Sequence, residues 1–363
     1  MTTLPLPPGS TLGILGGGQL GRMLALAAAR LGFDVAVLER DADSPAGRVA
    51  AHTIVGAYDD PAALEALAAV AKVVTFEFEN VPADSVLKLQ SLGVEVAPGP
   101  EALAVAQDRI AEKQFLNASG APTVAFAAAD TAEAAVAATA ELGAPVLMKT
   151  RRHGYDGKGQ RWVEHAAGAA AAFADLGSVP VILEAPADFV RELSIIAARG
   201  RDGATAIYPL AENHHEGGIL RRSVAPAQVG ADLAFQAEKI AARVLKGLNY
   251  VGVVGIELFE LKDGTLLVNE IAPRVHNTGH WTQDGCEVDQ FEQHIRAVAG
   301  WPLGPTAPVA RVEMLNLLGE EVDGWARLAH EPDTRIHLYG KRQAKPGRKM
   351  GHVNKVRVLW EVG

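Results

Sequence analysis

Polar and apolar positions alternate between two rhythms along the first hundred residues. Thr11–Leu15 is a short apolar run and predicts a strand; Gln19–Leu31 carries helical spacing; Asp34–Leu38 is again apolar and closes on Glu39. A strand at Thr53–Val55, a helix at Pro61–Val70 with Pro61 in its first turn, and a strand at Val73–Phe76 follow. A helix near Pro82–Leu92 then leads to a strand at Val94–Ala97. Apolar strands separated by helices predict a parallel sheet covered on both faces. The turn cluster Pro98-Gly-Pro100 ends this unit, read as residues 1–100.

The next stretch, residues 101–185, reads as a smaller α/β unit. It has a helix at Thr131–Leu142, a strand at Pro145–Lys149 and then a glycine-rich loop. From residue 186 the pattern is strand-rich: Arg191–Ala198, Ala204–Tyr208 and Gly218–Val224, then a helix at Asp232–Leu245 closed by Gly247. Two long strands, Val251–Leu261 and Thr265–Ile271, flank Lys262-Asp-Gly264, where Asp-Gly is a hairpin signal. The tail from Ala310 reads as more strands with a basic turn, Lys345-Pro-Gly-Arg-Lys349. The expected architecture is a parallel α/β unit, a small central α/β unit and a larger antiparallel-sheet unit at residues 186–363.

Composition narrows the class. The 363 residues are 48% hydrophobic and 21% charged, an ordinary globular balance. The formal charge of −9 argues against a nucleic-acid partner, whose phosphates need clustered bases, but leaves room for a small anion held by local cations. Cys286 is the single cysteine, so an intrachain disulfide and a four-cysteine zinc site are excluded, which predicts a cytoplasmic protein. The N-terminus lacks a basic region ahead of an apolar stretch, and the nearest approach to a membrane span, Met23–Leu38, is interrupted by Arg30 and Asp34.

Two glycine-rich loops compete for the role of phosphate site. Gly16-Gly-Gly-Gln-Leu-Gly21 fits the dinucleotide fingerprint between a strand and a helix, with Glu39 at the end of the next strand. That makes a nicotinamide site legitimate; a βα turn that merely needs small residues is the plain alternative. The second loop, Gly154-Tyr-Asp-Gly-Lys-Gly-Gln160, follows Lys149 at the end of an apolar strand, which can aim an ammonium at the anion the loop closes over. Glu257 and Glu270 lie on the two strands of the Asp-Gly hairpin and can face each other. Paired carboxylates repel unless a cation lies between them, and hard oxygen ligands beside phosphate suit magnesium.

Lys149, the Gly154–Gln160 loop, Glu184, Glu192, Glu257 and Glu270 together resemble the ATP-grasp ligases. The strings Gly13–Met23, Gly154–Gln160, Asn269–Thr282 and Pro346–His352 are more specifically similar to the family of 5-(carboxyamino)imidazole ribonucleotide synthases, over about Thr11 to Asn354. The resemblance implies an ATP-grasp fold with a Rossmann-like first domain that is not a nicotinamide site. Its glycine loop, with Gln19 and Leu20, would border the ribonucleotide pocket. The implied reaction is ATP- and bicarbonate-dependent carboxylation of aminoimidazole ribonucleotide through carboxyphosphate. Arg109 and Lys149 would contact ATP phosphates under a lid of Gly154, Tyr155, Asp156, Gly157, Lys158, Gly159 and Gln160. Glu184, Ala185, Pro186 and Ala187 would form the adenine hinge. Glu192 would take the ribose hydroxyls, with His215 and Asn269 beside the nucleotide. Glu257 and Glu270 would hold magnesium. Many ATP-grasp enzymes carry Asn two residues after the second Glu; here that position is Ala272, which leaves the number of metal ions open.

Arg274, His276 and Asn277 cluster on one loop and would bind bicarbonate and the carboxyphosphate oxygens. Tyr155 and Asp156 stand at the lid, while Glu77 follows a first-domain strand with Glu79; either Asp156 or Glu77 could accept the amine proton. Lys341 and Arg348 would take the substrate 5′-phosphate. A homodimer is also implied. The remaining readings are another ribonucleotide ligase of the superfamily, such as formate-dependent glycinamide ribonucleotide formyltransferase, and a catalytically dead nucleotide sensor. Lys149, Glu257 and Glu270 are all present, which argues against the sensor.

Overall fold

The structure, a computed structural model, describes residues 4–154 and 158–358. Its first sheet is all parallel, in the spatial order His52–Val55, Asp34–Glu39, Thr11–Leu15, Val73–Phe76, Glu95–Val96. The Gln19–Arg30 helix buries Leu20, Met23, Leu24, Ala27 and Ala28, one stripe at helical spacing. That stripe does not stay within the first unit. Leu24 and Ala28 share a core with Phe291, Ile295 and Val298 of the Gln290–Ala299 helix. Arg30 adds ion pairs to Asp289 (3.3 Å) and Glu292 (3.1 Å). The first sheet is thereby fixed to the third.

A second, four-stranded antiparallel sheet runs Phe126–Ala129, Val181–Glu184, Val146–Thr150, Gln160–Val163. The helices Ala132–Leu142 and Ala169–Asp175 bury small alanine faces against it. Among the described residues the third sheet has nine strands. Leu266–Ala272 and Gly252–Leu261 form one edge, then Phe189–Arg199, Ala211–Glu216, Ile219–Ala225, Ala310–Leu318, Lys349–Val358 and Thr334–Leu338, with Thr205–Ile207 beside Phe189–Arg199. All its pairings are antiparallel, as the strand-rich reading of the second half expects. The Ala231–Gly247 helix packs Ile240, Ala241 and Val244 on one face of it.

One expected boundary needs correction. Gly247 does not close its helix but lies in the last turn, and the chain leaves through Leu248 and Asn249, the latter at φ 42°. Among the described residues, no helix is long and apolar enough to cross a membrane.

Candidate active site

The Asp-Gly hairpin forms as expected, and a one-residue bulge that skips Asn269 between the Leu258–Val268 and Glu257–Glu270 pairs sets Glu257 directly opposite Glu270. Burial raises the Glu257 carboxyl to about 7, and the neighbouring Glu270 charge pushes the same way. Burial also works against Glu270, but Arg109 and Lys149 outweigh it and hold that carboxyl below its ordinary range. Arg109 donates to Glu270 Oε2 at 3.1 Å and to the Gly154 carbonyl at 3.3 Å, so it joins the carboxylate pair to the base of the glycine loop. It is not a helix-surface partner of Asp108 or Glu112.

Asp108 accepts from the N–H groups of Ile110 (3.0 Å) and Ala111 (3.4 Å) and so caps the Arg109–Ala118 helix. Three residues of that helix at i, i+3 and i+4 then meet consecutive residues of the Glu270 strand. Arg109 pairs with Glu270, Glu112 accepts from the Ile271 N–H at 2.7 Å, and Lys113 donates to the Asn269 carbonyl at 2.7 Å. Burial and the Glu270 charge raise Glu112 to about 8. Lys113 Nζ also lies 3.1 Å from Glu184, whose other oxygen is 2.5 Å from Lys149 Nζ. Burial opposes the charged form of Glu184, yet these two lysines bring it down to about 2. Glu184 is therefore no ordinary strand-end charge but the buried counter-ion of two ammonium groups.

Across the same sheet, Glu192 forms a short hydrogen bond to His215 Nδ1, while His214 points to the more exposed Glu216. Arg274 donates to Glu79 at 2.5 Å, inside the site. His276 Nε2 stands 3.6 Å from Glu257 Oε1, and its Nδ1 is 2.9 Å from the Thr278 hydroxyl. The Asn277 side-chain amide is buried, with neither its nitrogen nor its oxygen partnered among the described residues. Asn269 Nδ2 lies 3.4 Å from Glu257. Tyr155, Asp156 and Gly157 lie outside the described residues; Lys158 and Gly159 form a turn that enters the Gln160–Val163 strand.

The first glycine loop is filled from within. Glu77 is buried and accepts from the N–H groups of Gly18, by a short bond, and of Gly21 at 2.6 Å. Glu39 takes the Gly17 N–H at 2.7 Å and the Tyr58 hydroxyl at 2.8 Å. The donors that would cradle a dinucleotide pyrophosphate at this helix N-terminus already hold two carboxylates. Gln19 and Leu20 open the helix above them. Far along the chain, Lys341 Nζ donates to the Lys349 carbonyl at 2.7 Å and Arg348 to the Gln343 carbonyl at 3.1 Å. This basic turn meets the first unit, since Arg48 donates to the Gly340 carbonyl at 2.6 Å and Arg342 pairs with Asp43.

Sequence reasoning missed Glu112 and Lys113 as site residues. A usable signal was there: with Arg109 they place three charges on one face of a helix that must also be buried, and buried charges are paired or functional.

Residues 114–291 match the model of the ATP-grasp domain, residues 10–107 that of the ribonucleotide synthetase preATP-grasp domain, and residues 313–358 that of the phosphoribosylaminoimidazole carboxylase C-terminal domain. N5-carboxyaminoimidazole ribonucleotide synthase of Brucella melitensis is 50% identical over 98% of this chain and 99% of its own length. The protein of that name from Bacillus subtilis is 41% identical over 95% of this chain and 91% of its own. Among solved structures, the N5-carboxyaminoimidazole ribonucleotide synthetase of Thermus thermophilus superposes with a TM-score of 0.89 at 44% identity, covering 95% of this chain and 93% of that one. A synthase from Aspergillus clavatus, in complex with ADP and 5-aminoimidazole ribonucleotide, gives a TM-score of 0.90 at 31% identity over 96% and 94%. Such identity over nearly the whole length places this chain in the N5-carboxyaminoimidazole ribonucleotide synthase family of ATP-grasp ligases.

Proposed function

We propose that this protein joins bicarbonate to the exocyclic amine of 5-aminoimidazole ribonucleotide at the expense of ATP, a step of purine synthesis. The observation that carries the reading is the opposed Glu257–Glu270 pair joined through Arg109 to the glycine-rich loop, within a chain whose relatives bear the name of this synthase. Two hard carboxylates are the donor set magnesium takes when phosphate oxygens and water complete its shell, and among the described residues no His/Cys/Asp/Glu group of three or more offers a rival metal site. Magnesium held by Glu257 and Glu270 would neutralise charge on the transferring phosphoryl group.

The chain's own groups supply the rest. Lys149 and Arg109 orient the ATP phosphates, and Glu184 keeps Lys149 extended toward them. Glu184, Ala185, Pro186 and Ala187 border the adenine, Glu192 holds the ribose with His215 fixing its carboxylate, and Asn269 steadies Glu257. A bicarbonate oxygen attacks the γ-phosphorus as the bond to the ADP oxygen breaks, giving carboxyphosphate. Arg274 and the amide of Asn277 receive its oxygens, with His276 Nε2 3.6 Å from Glu257 Oε1 beside them. The loop from Gly154 to Gln160 excludes water from this intermediate. The ribonucleotide amine then attacks the carboxyl carbon, phosphate leaves, and the amine proton passes to a carboxylate.

Burial raises Glu77 above the ordinary carboxyl range, and Glu77 and Asp156 are the two candidates for that carboxylate. Gln19 and Leu20 border the ribonucleotide, and Lys341 and Arg348 take its 5′-phosphate. The protein acts in the cytoplasm as a homodimer, and residues 1–100, 101–185 and 186–363 are its three units.

A coupled ADP-release assay tests the reading. ADP formation should require bicarbonate and rise with aminoimidazole ribonucleotide, with one carboxylated product per ADP. Turnover with formate and glycinamide ribonucleotide in place of those substrates would overturn it.

A further inference from the structure

The segment from Arg274 to Trp281 carries the groups assigned to carboxyphosphate, yet only a single 3-10 turn, Asn277–Gly279, gives it regular structure. Its backbone needs partners from elsewhere. For residue 276 one side chain supplies both a donor and an acceptor. Gln290, fully buried at the start of its helix, accepts from the His276 N–H at 2.8 Å through Oε1 and donates to the His276 carbonyl at 2.7 Å through Nε2. Both polar groups of residue 276 are thus held by one planar amide, as a neighbouring strand would hold them. The same Nε2 lies 3.1 Å from His280 Nδ1. The Gln290 N–H donates to the Thr282 hydroxyl at 3.0 Å, and that hydroxyl donates to the Gly279 carbonyl at 2.7 Å. The loop closes directly on the amide: a Cβ at Gly279 would stand 2.6 Å from Gln290 Oε1.

The opposite side of His276 is equally confined. A Cβ at Gly255 would come within 2.5 Å of the His276 Cβ, so the histidine is pressed on the strand that carries Glu257 two residues later. His276 is wedged between Gln290 and the metal-ligand strand, and the buried Asn277 amide follows it in the chain. A leucine or methionine at 290 would fill a similar volume but leave the His276 N–H bare and its C=O with the Gly279 N–H, 3.0 Å away. Of the side chains of this size, only glutamine offers a donor and an acceptor on one planar end.

We propose that Gln290 is a positioning residue for the carboxyl-transfer half of the reaction: its amide fixes residue 276 against the Glu257 strand and so aims His276 and Asn277 at the carboxyphosphate. The inference rests on the ligase reading above. The test compares Gln290→Met and Gln290→Glu with the wild type. ADP affinity by calorimetry, KM for ATP, ADP release and product formation are measured on the same preparations. Gln290→Met should keep ADP affinity and KM for ATP near wild type. Product formation should fall by on the order of 100-fold, the loss expected from an ångström-scale misplacement. ADP release should fall less, so that more than one ADP is spent per product. Gln290→Glu keeps the acceptor for the His276 N–H and loses both donor contacts; it should fall between the two.

A variant that binds ADP normally and keeps wild-type product formation and coupling overturns the proposal. So does a proportional loss of ADP binding, ADP release and product in Gln290→Glu, which is the signature of a merely structural role. Failure of the ligase reading is separate and visible first, as a wild-type protein that makes no product from bicarbonate and the ribonucleotide.

Discussion

His294 links two sheets through one imidazole, and acid should break that link. Its Nδ1 accepts from the Val253 N–H at 3.0 Å, and its Nε2 is 2.7 Å from the Thr75 hydroxyl. Val253 belongs to the third sheet and Thr75 to the first. Complete burial depresses the ring from 6.5 to about 3. The folded protein therefore holds the neutral form, whereas the unfolded chain takes up a proton once the pH drops below 6.5. The ring's contribution is fully present above that value and is lost progressively as the pH falls toward 3. At pH 5.0 the gap below the unfolded value is 1.5 units, and at about 1.4 kcal/mol each this gives about 2 kcal/mol. Urea unfolding of wild type and His294→Gln at pH 7.5 and 5.0 measures it. Other buried histidines and carboxylates titrate in both proteins and cancel in the double difference. His294→Gln should lose about 2 kcal/mol less than wild type on acidification. Losses that agree within about 0.5 kcal/mol would refute the assignment of a neutral, linking ring.

Glu257→Gln and Glu270→Gln should each lower ATP turnover ~100-fold or more, because a hard cation loses one of two anionic ligands; wild-type turnover at limiting magnesium in either variant would sink the metal assignment. Arg348→Ala should raise the KM for the ribonucleotide by roughly 10- to 150-fold, the worth of one charge-assisted phosphate contact, and leave the KM for ATP near wild type. Equal effects on both substrates, or none, would make the basic turn structural. NAD and NADP should produce neither a thermal shift nor a change in the fluorescence of the five tryptophans, since Glu77 and Glu39 hold the glycine-loop N–H groups. Micromolar binding that vanishes in Glu39→Ala would restore the dinucleotide reading.

Much of the architecture was local and therefore legible in the chain. The alternation of apolar strands and helices before Pro98, and the strand-rich pattern after residue 186, foretold a parallel and an antiparallel sheet because side-chain period and burial are properties of short segments. The Asp-Gly turn marked the hairpin, but the register it starts would pair Glu257 with Asn269; a bulge beside Leu258 skips Asn269 and sets Glu257 opposite Glu270. The error at Gly247 was also local, a glycine tolerated inside the last helical turn. The dinucleotide fingerprint could not be decided at that range. Its glycines are correct for a phosphate, and only the return of the Val73–Phe76 strand beside Thr11–Leu15 brings the Glu77 carboxylate onto them. Lys113, Glu112 and Gln290 are further examples. Each acquires its role by meeting a group 71 (Lys113 to Glu184), 159 (Glu112 to Ile271) or 14 (Gln290 to His276) positions away. Sequence by itself determined the elements and the family, because those follow from periodicity and strings of chemically demanding residues. The tertiary structure alone decided which buried charges balance one another, because a charge is stabilised or shifted by whatever the fold places within a few ångströms of it.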